Sequence, residues 1–156
     1  MSWTSKTTEN RLLEAYAVRE GALIYAEVPF VGRDGHGVDE WRGSGRRLFD
    51  GVRFEAPQIR GAVVLYRDAR SECDDGLAKA PVTIIEVKRK LNRGVIGQII
   101  VGRRLFTRQF KRSPAKSVIV CQKTDPALEW VCGKENIQVV EIPIKSATRP
   151  RKRRAP

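Results

Sequence analysis

The segment VTIIEVKRK, residues 82–90, constrains this chain more than any other, because an apolar run of strand length ends there in charged residues. Such a run predicts a buried β-strand. Side chains two residues apart on a strand point to the same face, so Glu86 and Lys88 are predicted to lie side by side. A carboxylate and an ammonium are costly to bury unless they bind something, which makes the pair a candidate functional site. On an exposed face, the same two residues would form an ordinary solvated pair.

A second strand-like run, RRLFDGVRF at residues 46–54, carries Asp50 where strand propensity favours an apolar side chain. If the two strands are neighbours, Asp50 meets Glu86. Two carboxylates and a strand carbonyl, here that of Val87, form the hard oxygen site that Mg²⁺ or Mn²⁺ prefers, with Lys88 close enough to orient a water. The alternative is a hairpin turn at Asp50-Gly51, since Asp-Gly is a strong hairpin signal.

Asp50, then Glu86-x-Lys88 on the next core strand, then a helix that begins near Gln98, resembles the PD-(D/E)XK nuclease superfamily. This superfamily includes restriction endonucleases, archaeal Holliday-junction resolvases and repair nucleases. The resemblance covers roughly residues 12–142 and differs from the motif name in having Phe49 where the proline would stand. It implies an α/β fold with a restriction-endonuclease-like αβββαβ core, in which a central mixed β-sheet is flanked by helices.

The resemblance also implies roles for individual residues. Asp50 and Glu86 would hold one or two Mg²⁺ (or Mn²⁺) ions together with the Val87 carbonyl, and Lys88 would position the water that attacks the phosphodiester. Similar nucleases carry a Gln near the start of the following helix that contacts substrate or the catalytic water, which points to Gln98. A glutamate of the first helix sometimes joins the metal site, so Glu14 is a further candidate, although a solvated helix charge is the simpler interpretation.

The charge of the chain indicates a polyanionic partner. Thirty Lys and Arg residues against eighteen Asp and Glu residues give a net charge of +12, which favours nucleic acid, although charge can also serve solubility alone. Residues 88–116 contain ten basic residues and no acidic one. An unbalanced run that begins at the predicted metal site is what binding to a phosphate backbone requires. The residues predicted to bind nucleic acid, with DNA favoured, are Arg89, Lys90, Arg93, Arg104, Arg108, Lys111 and Arg112.

Length and composition predict one nuclease-like domain over residues 1–144 and a basic, disordered tail over residues 145–156. Three cysteines without a C-x-x-C pair, and a single histidine, support neither a disulfide framework nor a zinc site. No apolar stretch reaches the length of a membrane span and the N-terminus lacks an apolar signal core, so we expect a cytoplasmic protein without a membrane partner. The sequence leaves a homodimer open.

Periodicity and turn residues predict the remaining elements. They comprise a helix from Thr7 or Thr8 to Glu20, a strand at 22–30 ended by Pro29, a loop at 31–45, a strand at 62–66, a polar loop at 67–80, a helix at 94–112, a strand at 117–122, a short helix at 126–132 and a strand at 137–142.

These observations favour a metal-dependent endonuclease that hydrolyses DNA. A nucleic-acid-binding module on the same fold without catalysis is the first alternative. A toxin or defence effector nuclease with the same chemistry is the second, and the sequence does not separate it from a repair or restriction enzyme.

Overall fold

A computed structural model describes residues 3–31, 44–55 and 61–145. Most of the loop predicted at 31–45, and the basic tail after residue 145, lie outside the described residues. The elements in chain order are α1 (Thr8–Glu20), β1 (Leu23–Val31), β2 (Arg47–Phe54), β3 (Ala62–Leu65), α2 (Arg70–Lys79), β4 (Val82–Lys90), α3 (Arg93–Phe110), β5 (Lys116–Lys123), α4 (Pro126–Lys134) and β6 (Ile137–Glu141).

The six strands form one mixed sheet in the order β3-β1-β2-β4-β5-β6. Strand β2 pairs antiparallel with both β1 and β4, whereas the β1–β3, β4–β5 and β5–β6 pairs are parallel. The expectation of an α/β protein with a mixed sheet and flanking helices is therefore confirmed. Because β2 and β4 are direct neighbours, the two strands that carry Asp50 and Glu86 lie side by side.

Helices cover both faces of the sheet. On one face, Leu13 of α1 packs in a core cluster with Ile85 and Val87 of β4. On the other face, α2, α3 and α4 pack in a second cluster that includes Ile84 and Phe106. The side chains of β4 alternate between these clusters, as the two-residue period of a strand requires. Glu86 and Lys88 are two and four residues after Ile84 and point to the same face, so the site begins on the α3 side of the sheet.

Helix α1 has the ends that its sequence predicts. The Thr7 hydroxyl accepts a hydrogen bond from the Asn10 N–H at 3.0 Å, which satisfies a donor of the first turn. Gly21 ends the helix in the left-handed conformation, with φ 58°, where glycine has no Cβ to clash with the backbone. The predicted helix from Thr7 or Thr8 to Glu20 is confirmed.

Two local predictions are wrong, and one alternative is excluded. The predicted polar loop at 67–80 is mostly helix α2, whose few apolar residues, Cys73 and Leu77, are four apart and both buried. Strand β1 does not end at Pro29. It continues to Val31. Beyond Ala26 the strand pairs with β2 but no longer with β3, so the missing N–H of Pro29 interrupts no hydrogen bonds to a second neighbouring strand. The hairpin at Asp50-Gly51 is excluded, because Gly51 pairs with Ala26 on one side and Ile85 on the other.

The contact of α3 with β2 depends on a glycine. A Cβ on Gly102 would lie 2.7 Å from Cε1 of Phe49, a ring that is fully buried and stacked on Phe30 at a centroid distance of 3.9 Å. Phe49 directly precedes Asp50. The absence of a side chain at position 102 thus lets α3 approach the strand that carries the first carboxylate.

We expect Gly102→Ala to destabilise the protein. Overpacking against a buried ring costs about 1–3 kcal/mol, which exceeds the helix-propensity gain of alanine over glycine, roughly 0.5–1 kcal/mol. Gly97→Ala is the matched control, because Gly97 lies in the same helix and a Cβ added there would have no heavy atom within 4 Å outside its own helical turns. Urea unfolding should show a lower free energy of unfolding for Gly102→Ala and a higher one for Gly97→Ala. Equal shifts of the same sign would contradict this packing role.

Candidate active site

The site begins where β2 and β4 separate. Their pairing ends at Gly51 opposite Ile85, and the next donor on β4, the Val87 N–H, bonds to Oδ2 of Asp50 at 2.8 Å. The Asp50 side chain thus takes the place of a backbone acceptor between the two strands. The N–H and C=O of a strand residue point to the same neighbour, so the Val87 carbonyl faces the β2 side as well.

Glu86 lies beside Asp50, and the two carboxyl groups are hydrogen-bonded to each other. Glu86 is only 6% exposed. Both line a cavity of about 250 Å³ that also includes the Lys88 and Gln98 side chains. The structure therefore brings Asp50, Glu86, Lys88 and Gln98 together, which are the four side chains that the sequence selected for catalysis. The described residues that line it are Phe30, Arg47, Leu48, Asp50, Glu86, Lys88, Gln98, Val101 and Gly102.

Burial favours the protonated form of the two carboxyl groups. The pKa of Glu86 is raised from 4.5 to about 9, mainly by burial and also by the charge of Asp50 and their shared hydrogen bond, against the lowering effect of Lys88. Asp50 keeps an exposed surface toward the cavity, but desolvation by the protein around its carboxyl raises its pKa too, against the opposing Val87 N–H. At neutral pH the pair without a cation therefore carries less than two negative charges.

Lys88 is held from the opposite face of the sheet. Its Nζ lies 3.7 Å from Oε1 of Glu9 on α1, and both side chains are a little over two-fifths exposed. Glu9 also raises the pKa of Asp50. An exposed pair of this kind adds little stability, and its main consequence is that the Glu9 carboxylate lies beside the ammonium at the end of β4.

Glu9 and not Glu14 is the glutamate of α1 at the site. Glu14 is exposed and does not line either of the two described cavities that contain Asp50. Sequence reasoning missed Glu9, although a signal exists: it precedes the buried Leu12, Leu13 and Tyr16 by three, four and seven residues and so shares their helix face. What periodicity does not show is which turn of that face reaches the end of β4.

A smaller cavity of about 100 Å³ lies on the α1 side of Asp50 and includes Glu9, Glu27 and Val87. Glu27 is opposite Asp50 in the β1–β2 register, between the pairs Ala26–Gly51 and Val28–Phe49. It has φ 57°, a left-handed conformation that is uncommon for a residue other than glycine and that costs free energy. Asp50 consequently separates two cavities, one on each face of the sheet.

The residues present fit a small divalent cation. Among the described residues no group of three or more His, Cys, Asp or Glu side chains could hold a metal, so the carboxylate ligands here would be Asp50 and Glu86 alone. Mg²⁺ is commonly bound by one or two carboxylates, with waters and substrate phosphates completing its shell. A hydrogen-bonded carboxyl pair that faces a polar cavity, with the Val87 carbonyl on the same side, is such an oxygen donor set.

Two arginines change the set of basic residues that the sequence proposed. Arg112 is committed to the fold: its guanidinium donates to the carbonyls of Ala80, at 2.5 Å, and of Leu77 at the end of α2. These bonds leave fewer donors of Arg112 for nucleic acid, and a charge pattern does not reveal such intramolecular partners. Arg47 was missed, although it lines the carboxylate cavity. Its position at the start of β2 did not predict this, because the sequence does not show which other strand ends lie near the start of β2.

The other basic candidates fall into two groups. Arg89, Lys90 and Arg93 are exposed at the end of β4 and the start of α3, next to Lys88. Arg104, Arg108 and Lys111 line a different cavity, toward the far end of α3. The cationic residues are therefore not one continuous stripe leading from the carboxylates.

No described helix has both the length and the apolar character needed to cross a membrane. Comparison with known proteins found no protein family, no curated protein and no solved structure that matches this chain.

Proposed function

We propose that the chain is a metal-dependent endonuclease that hydrolyses phosphodiester bonds of DNA, with a PD-(D/E)XK type of site. The observation that carries the proposal is the hydrogen-bonded Asp50–Glu86 pair, which opens to a cavity shared with Lys88 and Gln98. Two carboxyl groups placed together, one of them only 6% exposed, are unfavourable unless they share a proton or bind a cation.

The element order supports the proposed fold family. The series α1, β1, β2, β4, α3, β5 follows the αβββαβ order of a restriction-endonuclease-like core. Strand β3 and helix α2 are an insertion between β2 and β4, and β3 joins the sheet at its edge next to β1. The insertion leaves Asp50 and Glu86 on adjacent strands.

Each residue of the cavity has a role that its chemistry allows. A divalent cation, when bound, supplies a Lewis acid beside the scissile phosphate. Asp50 and Glu86 would hold it, and the hydrogen bond from Val87 N–H fixes the orientation of the Asp50 carboxylate. The Lys88 ammonium, located by Glu9, can donate a hydrogen bond to the attacking water or to a phosphate oxygen. Gln98 can orient the same water through its amide.

A cleavage assay with purified protein tests the proposal. Supercoiled plasmid and labelled single-stranded, duplex, flap and four-way-junction DNA should be incubated with Mg²⁺, with Mn²⁺ and with EDTA. We expect cleavage of at least one substrate with either cation and none with EDTA. Folded protein that binds DNA but cleaves no substrate with either cation would favour the non-catalytic binding module.

Arg47 is expected to contact the phosphate that reacts. It lines the cavity beside the carboxylates, and an arginine can stabilise the charge that develops on a phosphoryl group. Losing one charged hydrogen bond of about 1.5–3 kcal/mol should lower the single-turnover cleavage rate of Arg47→Ala by roughly 10- to 100-fold at saturating DNA.

Arg46→Ala is the control for this change, because Arg46 is exposed, immediately precedes Arg47 and does not line the cavity. It removes the same charge from the same segment. Equal rates for the two variants at saturation would show that Arg47 contributes only general electrostatic attraction.

A further inference from the structure

A second polar cavity, of about 620 Å³, lies between the C-terminal half of α3 and the end of α4. Among the described residues, five cations line it together with one acidic residue, Glu135; the cations are Arg103, Arg104, Arg108, Lys111 and Lys134. We call this cavity the α3–α4 groove.

The single carboxylate of the groove is engaged by one of the arginines. Arg103 donates to the Glu135 carbonyl at 2.7 Å, and its guanidinium lies 3.5 Å from the Glu135 carboxylate. Arg104, Arg108, Lys111 and Lys134 are at least partly exposed. The lining as a whole therefore has a large excess of positive charge in a concave surface, where the potential is concentrated. This composition selects a ligand with several negative charges.

The groove is separate from the carboxylate cavity. An α-helix turns 100° per residue, so Gln98 and Gly102, which line the carboxylate cavity, lie on roughly the opposite side of α3 from Arg104. Gln98 and Arg108 are also ten residues apart, which corresponds to about 15 Å along the helix axis. A nucleic-acid chain that contacts both sites must therefore pass across α3.

An exposed tryptophan adjoins the groove. Trp130 on α4 is 66% exposed, and Nζ of Lys134, a groove residue, lies 5.4 Å from its ring centroid. At this exposure much of the indole surface remains open to a ligand. A flat aromatic surface beside a cationic groove is the combination by which proteins bind single-stranded nucleic acid, with bases stacked on the ring and phosphates on the cations.

We propose that the α3–α4 groove and Trp130 form a second nucleic-acid site, which holds a single-stranded segment outside the carboxylate cavity. Phosphates lie along Arg104, Arg108 and Lys111, and an unpaired base stacks on Trp130. The phosphates of a duplex could also contact the cations, but its bases are stacked inside the double helix and expose only their edges in the major and minor grooves of DNA. The indole of Trp130 would then have no base to stack on. Calling the bound segment substrate rests on the proposed nuclease function; the binding itself does not.

Binding measurements in EDTA test the site without requiring cleavage. Fluorescence anisotropy should compare a labelled single strand with a blunt duplex of the same sequence. We expect Trp130→Ala to weaken single-strand binding about 10-fold and duplex binding less than about twofold, with Trp130→Phe retaining most of the affinity. Arg104→Ala/Arg108→Ala should weaken binding of both DNAs and reduce the single-strand salt slope by roughly 1.4, since each lost phosphate contact contributes about 0.7.

The matched control is Arg19→Ala/Arg67→Ala, which removes two exposed arginines elsewhere on the surface. Each variant must first show an unchanged unfolding midpoint. An Arg104/Arg108 variant that behaves like this control would overturn the site, and an equal loss of single-strand and duplex affinity in Trp130→Ala would overturn base stacking. Tighter binding to anionic lipid vesicles than to either DNA, with the same dependence on Arg104 and Arg108, would assign the groove to a membrane surface instead. If DNA binding depends on the groove as expected but no cleavage occurs, the nuclease proposal fails and the groove stands.

Discussion

Replacing Glu86 with Gln should lower divalent-cation-dependent DNA cleavage by a factor on the order of a thousand, because several kcal/mol of transition-state stabilisation depend on the bound cation. The amide has nearly the same shape as the carboxyl group, so the buried position can still be filled and hydrogen-bonded to Asp50. What it removes is the charge that binds the cation. Single-turnover rates at saturating DNA measure the loss, and Lys88→Ala should reduce the same rate through loss of the water-positioning ammonium.

Two further measurements separate cation binding from a general defect. Isothermal titration with Mn²⁺ should detect binding to the wild-type protein and a large loss of affinity in Glu86→Gln. Glu72→Gln makes the same chemical change on an exposed position of α2 and serves as the control. DNA affinity in EDTA should change little in Glu86→Gln, because the exposed cations supply the phosphate contacts. Unchanged cleavage by folded Glu86→Gln would remove the basis of the proposed mechanism.

Without divalent cations, the stability of the wild-type protein should fall as pH rises from about 4.5 to about 9. The pKa of Glu86 is raised from 4.5 in the unfolded chain to about 9 in the folded protein. Below this window both states hold the proton, so Glu86 contributes no pH dependence. Within it the unfolded chain releases the proton and the folded protein retains it, so unfolding becomes progressively more favourable. The loss across the window is on the order of 5 kcal/mol.

The comparison with Glu86→Gln isolates this effect from other titrating groups. Urea unfolding at several pH values should give a smaller decline with pH for the variant, and the difference between the two curves is the contribution of Glu86. Mg²⁺ should stabilise the wild type more as pH rises, since cation and proton compete for the same carboxyl groups. Parallel curves for the two proteins would show that the buried carboxyl pair does not titrate as described.

Local patterns were sufficient for most single elements. The apolar run at residues 82–90 forms β4, and its two-residue period puts Glu86 and Lys88 on one face. The threonine and glycine at the ends of α1 set its bounds, because capping depends on neighbouring residues alone. Helix α2 escaped prediction, since two buried residues among polar ones form too short an apolar stripe to stand out.

Sequence alone was sufficient to propose Asp50, Glu86, Lys88 and Gln98 for the chemistry, whereas the tertiary structure added Arg47 and Glu9 and decided how these residues meet. The residues between β2 and β4 contain β3 and α2, and only long-range packing places β3 at the sheet edge so that Asp50 and Glu86 become neighbours. The same packing brings Glu9 to Lys88, and it brings the Arg112 guanidinium to the carbonyls at the end of α2. The periodicity of an element fixes the face on which a side chain lies, because this period follows from the backbone geometry of that element alone. Which element covers that face depends on pairings between distant segments, which no local pattern encodes.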